Sequence, residues 1–186
     1  MKTSVKYGPQ IQTGHLAAES VGTSEVAADS LLAGDIAANA IGNSELNGAM
    51  VQIGLITVSS AELLALRATP KTLVAAFGAN IIGSFLSATL FLDYNSAAYV
   101  ESSADIVARL TDDSGAIVST TLDSTGLLDA TSDQLRTLKP IATDYTPIAN
   151  TPIVLHNAGA GEWTTGDSPL YVYVRYALSD LSLAGA

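Results

Sequence analysis

Two histidines, His15 and His156, are the side chains of this sequence best suited to proton transfer or metal ligation near neutral pH. They lie far apart, and neither sits in a His-Glu-x-x-His spacing or a comparable ligand pattern, so no metal site is expected. His156 with Asp167 or Asp144 and one of many serines would assemble a nucleophilic triad on paper. No Gly-x-Ser-x-Gly elbow accompanies them, and the expectation is a protein that is not an enzyme and carries no cofactor. Gly159, Gly161 and Gly166 would suit a phosphate loop only with a following Gly-Lys-Ser/Thr and a helix to open; lacking both, they predict a hairpin loop. Asp112-Asp113 would hold calcium only if further oxygens converged there, and a solvated turn is the simpler expectation. With no cysteine, thiolate chemistry, disulfides and Cys-based zinc sites are excluded.

Recognition chemistry is better represented. Trp163, the only tryptophan, with Tyr171 and Tyr173 on the side of their strand facing away from the core, supplies a candidate surface contact, because aromatic side chains are enriched at interfaces. The alternative is that they form the inner face of a second sheet. The net charge of −10, from 18 acidic against 8 basic residues, argues against partners that present bare nucleic-acid phosphates or an anionic membrane surface. One stretch, 72–92, is uncharged over the length of a bilayer span between Lys71 and Asp93. It is interrupted by Gly78, Asn80, Gly83, Ser84, Ser87 and Thr89, and its β-branched and aromatic content predicts two buried strands, 72–76 and 81–92, joined by a turn at 77–80. Residues 1–7 have two lysines but no apolar run behind them, so no secretory signal is expected.

The elements that must position these residues fall into an arm and a domain. From Ile11 a large aliphatic residue returns every fifth position, at Leu16, Val21, Val26, Leu31, Ile36, Ile41, Leu46, Val51 and Ile56. A five-residue step makes neither a helical stripe nor one face of a strand. The finer unit is ten residues, as in Ser24-Glu25-Val26-Ala27-Ala28 followed by Gly34-Asp35-Ile36-Ala37-Ala38, which predicts one capped helical turn and a few extended residues per unit. Single turns are unstable alone, so this arm needs a surface or sister chains to lie against. A pentapeptide-repeat β-helix is the competing picture, disfavoured because the position two before each aliphatic is not uniformly small. The expected organisation is a tail over 1–10, a repeat arm over 11–51 whose aliphatics bind a partner, and one domain over 52–186.

The domain is expected to be mainly β. Ser59-Ser60-Ala61-Glu62 is a capping box for a short helix that Pro70 ends. A half-buried strand over 104–110, a turn at 112–115 and a return strand over 116–122 form a predicted hairpin. Further strands are expected at 52–58, 134–139, 153–156 and 170–178, with prolines at 140, 147 and 152 excluding a central strand between. This pattern predicts an antiparallel β-sandwich, jelly-roll-like in its winding, after an extended N-terminal repeat arm.

The residues that carry this domain resemble virion proteins of tailed bacteriophages: Ile56-Thr57-Val58-Ser59-Ser60-Ala61-Glu62-Leu63-Leu64-Ala65-Leu66, Ala68-Thr69-Pro70-Lys71-Thr72-Leu73-Val74-Ala75-Ala76, Leu92-Asp93-Tyr94, Leu110-Thr111-Asp112-Asp113-Ser114-Gly115 and Leu155-His156-Asn157-Ala158-Gly159. The decapeptide arm is similar to Ala/Ile/Ser/Asp repeats at the N-termini of phage head-decoration and fibre proteins. The resemblance implies a capsid decoration (cement) protein on the outer surface of the virion, a homotrimer of β-sandwiches whose arms lie across junctions of the major capsid protein. The alternative in the same setting is a tail or head fibre, with a trimeric repeat stalk and a receptor- or glycan-binding tip at Trp163, Tyr171 and Tyr173. A carbohydrate-active enzyme or its binding module is the rival from another class.

Overall fold

The computed structural model describes residues 51–100 and 105–182. The expectations for the tail and for the arm as far as position 50 lie outside these residues.

Strict alternation along the last strand produces the scaffold of one sheet. In β8 (Leu170–Asp180) Leu170, Val172 and Val174 are buried, while the alternating Tyr171 is half-buried and Tyr173 and Arg175 are exposed. β8 pairs antiparallel with β1 (Gln52–Val58) on one side and with β3 (Ile81–Leu92) on the other, and β6 (Gln134–Leu138) completes the order β1-β8-β3-β6. The second sheet runs β2-β7-β4-β5, from β2 (Lys71–Val74), β7 (Ile153–Asn157), β4 (Asp105–Leu110) and β5 (Leu122–Asp123). Every connection passes from one sheet to the other except β4 to β5, so the two antiparallel sheets expected of a β-sandwich are wound together along the chain. Both sheets feed one core, Val58, Leu90, Val172 and Leu138 from the first and Leu73, Ile106, Ala108 and Leu155 from the second. Each such valine, leucine or isoleucine side chain, removed from water, contributes about 1.5–3 kcal/mol before entropy is counted.

The capping box forms as predicted. Glu62 accepts from the Ser59 backbone N–H at 2.9 Å while the Glu62 N–H donates back to Ser59 Oγ, starting α1 (Ser60–Leu64) and burying Leu63. Lys71 at the start of β2 forms an ion pair with Glu62. The 72–92 stretch divides into β2 and β3 through a turn with Gly78 and Asn80 at positive φ, and no helix among the described residues is long and apolar enough to cross a membrane.

Two expectations are corrected. The strand over 104–110 was expected to be half-buried, yet Val107 on its outer side is fully buried, because the segments carrying Arg67, Asp113 and Glu162 gather beside that side. The return strand over 116–122 is reduced to two isolated bridges, Arg109 to Ile117 and Ser119 to Pro140, and the two residues of β5. Its backbone is shared: Val118 N–H donates to Ala108 while Thr120 N–H donates to Lys139 and Val118 O accepts from Ile141. That segment crosses between the sheets instead of lying in one.

Candidate functional site

The register of the first sheet fixes which residues share its outer face. Ile53 lies opposite Arg175, Leu55 opposite Tyr173 and Thr57 opposite Tyr171. On the other side of β8, Tyr173 faces Thr89 and Tyr171 faces Phe91, which in turn faces Leu135 of β6. Ile53, Leu55 and Leu135 are 65%, 58% and 59% exposed, and Tyr173 is 42% exposed. Phe91 and Tyr171 stack with ring centroids 6.3 Å apart. A solvent-facing sheet side ordinarily reads polar, whereas this one carries apolar or aromatic residues on all four strands, with Thr57, Thr89 and Arg175 among them.

Of the three aromatics expected at a surface, Tyr171 and Tyr173 stand on this face and Trp163 does not. Trp163 is 1% exposed, packed in the core with its Nε1–H donating to Ser124 Oγ at 3.3 Å. The reason is the loop that holds it: Asn157, fully buried, receives the Gly159 N–H on Oδ1 and donates to Gly161 O, folding the glycine-rich segment inward. The glycines therefore belong to a loop that crosses from β7 in one sheet to β8 in the other, and not to the hairpin expected. Gly166 has φ 88°, and a Cβ there would stand 2.4 Å from the Tyr99 ring. What sequence reasoning missed were Ile53, Leu55, Phe91 and Leu135; the alternation in β1 was present, but not which face β8 would bring it to.

The paper triad is not assembled. Asp167 accepts from Asn95 Nδ2, from Ser96 N and Oγ and from Ala97 N, bonds that hold its carboxyl at about 2, and Asp144 is exposed. His156 is buried on the outer side of the second sheet, and the charges that act on it are Arg109, Arg67 and Asp113. Desolvation, and next the Arg109 charge, lower its pKa below the ordinary imidazole value. Asp112 closes a turn by accepting from Ser114 N, Ser114 Oγ and Gly115 N, as an Asx turn does. Among the described residues no group of three or more His, Asp or Glu is placed to hold a metal ion.

His156, Arg67, Ala68, Arg109, Asp113, Ala158 and Glu162 line a cleft of about 510 Å³. Both Glu162 carboxylate oxygens accept backbone N–H groups, of Arg67 at 3.0 Å and Ala68 at 2.8 Å, so this side chain fixes the mouth of the cleft.

No protein-family model matches the chain, and no curated protein matches it. Among solved structures, a chain of the cyanophage Pam1 capsid asymmetric unit is similar at a TM-score of 0.38 and 16% identity, over 70% of this chain and 86% of that one. Likeness of that degree identifies no family.

Proposed function

We propose that this chain is a structural virion protein of a tailed phage that decorates and stabilises the capsid. In this reading the sandwich trimerises with sister copies through the outer face of the β1-β8-β3-β6 sheet. The repeat arm, through Ile11, Leu16, Val21, Val26, Leu31, Ile36, Ile41, Leu46 and Val51, lies across junctions of the major capsid protein on the outer surface.

The observation that carries the reading is the exposed apolar face itself. Leu55, Tyr173, Tyr171, Phe91 and Leu135 form cross-strand neighbours along it, and an exposed apolar sheet side of this kind gains free energy when a partner covers it. Weak contacts repeated around a symmetric shell then multiply, so neither the arm nor the face needs high affinity alone.

Mixing the purified protein with undecorated heads and imaging them tests the proposal. The expected result is added density on the outer surface with the intact chain and none with a chain lacking residues 1–51 that remains folded. Decoration by the shortened chain would overturn the role given to the arm. The fibre reading, with a glycan-binding tip, retains Tyr171 and Tyr173 but loses Trp163, which the core holds.

A further inference from the structure

The cleft on the outer side of the second sheet is independent of the capsid reading and has its own chemistry. Arg109 of β4 pairs in register with Val154, and the neighbouring pair on the same side is Val107 with His156, so the guanidinium and the imidazole rise from adjacent strands onto one surface. His156 is 5% exposed and its Nδ1 has no hydrogen-bond partner; Arg109 Nε, also buried, has none, while Arg109 Nη1 donates to Gly115 O at 2.8 Å. Buried polar nitrogens without partners are uncommon, and two beside one cleft point to a ligand that engages both. The cleft's carboxylates do not serve them: Glu162 is taken up by the Arg67 and Ala68 amides, and Asp113 is exposed.

We propose that this cleft binds an oxyanion, a carboxylate or a tetrahedral group of the phosphate or sulfate class, which accepts hydrogen bonds from Arg109 Nε–H and from the Nδ1–H of a protonated His156. Arg67, at the mouth, adds a second positive charge. Binding is coupled to uptake of one proton from solvent by the imidazole. The charged groups facing His156 are Arg109 on β4, Arg67 after α1 and Asp113 in the β4–β5 turn. In the free protein burial and Arg109 disfavour the charged imidazolium; an anion between them offsets both effects and raises its pKa. Affinity for an anion that stays ionised therefore strengthens as pH falls, by up to about tenfold per pH unit between the bound and free pKa values.

The test is NMR of the imidazole Cε1–H resonances in the full chain, with His15 as an internal reference. Sodium sulfate and sodium formate are titrated at constant ionic strength against sodium chloride. The expected result is a saturable rise of the His156 pKa by roughly one unit, no matching rise at His15, loss of the effect in Arg109→Gln and its weakening in Arg67→Gln. Trp163 fluorescence reports whether each variant keeps its core; should Arg109→Gln not fold, the saturation in the natural chain and its weakening in Arg67→Gln decide. Saturation by sulfate alone marks a tetrahedral ligand, and by formate alone a planar carboxylate. A His156 pKa that neither salt moves, or that moves only in parallel with His15, overturns the proposal.

Discussion

Leu55 of β1 and Tyr173 of β8 are direct register partners on the outward side of one sheet, and both are exposed. Neither supports the core, so replacing Leu55 with Glu should leave folding stability within about 0.5 kcal/mol. Self-association should respond far more. A central aromatic contact is commonly worth about 2 kcal/mol or more at an interface, so Tyr173→Ser should weaken assembly about 30-fold or more in sedimentation experiments. Unchanged association in both variants would remove this face from the interface.

The loop at 95–97 hangs on one carboxylate. Asp167 has its pKa lowered from 3.8 to about 2, chiefly by the Ser96 hydroxyl and then by the Ala97 and Ser96 amides. Glu62 is lowered from 4.5 to about 2, first by Lys71 and then by the Ser59 amide. A carboxylate with a depressed folded pKa stabilises above its unfolded pKa, and that stability is lost as pH falls towards the folded one. Thermal melts should therefore show a Tm that declines from pH 4.5 down to about 2. Asp167→Asn should have a lower Tm at neutral pH and a shallower decline across that window.

Trp163 gives the core an optical reporter. Its burial predicts a blue-shifted emission that moves to the red only with global unfolding. Trp163→Ala should cost about 3–5 kcal/mol, measured by urea unfolding. Trp163→Phe keeps most of the packing and loses the Ser124 hydrogen bond, for about 1 kcal/mol.

Gly166 is closed to other residues on two grounds, its positive φ and the Tyr99 ring against it. The ring has no freedom to retreat, since Tyr99 Oη donates to Ser168 O at 2.5 Å within the core. Gly166→Ala should destabilise by about 1–3 kcal/mol, again in urea unfolding.

Local chemistry made much of this fold legible. The Ser59–Glu62 box, the turn at 77–80, the alternation in 170–176 and the prolines after 140 each act within a few residues, and each element formed where those signals placed it. Long-range pairing was not legible. Nothing near Trp163 announces that Asn157 will fold its loop inward, and nothing near Ile53 announces that Tyr173 will lie beside Leu55. The cleft failed for the same reason: Arg67, Arg109 and His156 come from three separated segments, and only the pairing of β4 with β7 makes neighbours of the last two.

The placement of β7 and β8 has a consequence for how the chain matures. Among the described strands β8 is the sole sheet neighbour of β1, and β7 that of β2, so each layer is held together by the strand of that layer made last. A nascent chain that has not yet released residues 153–180 from the ribosome carries both layers split, with apolar edges open to other chains. Premature termination anywhere before β7 thus leaves no smaller sandwich, only fragments that invite aggregation.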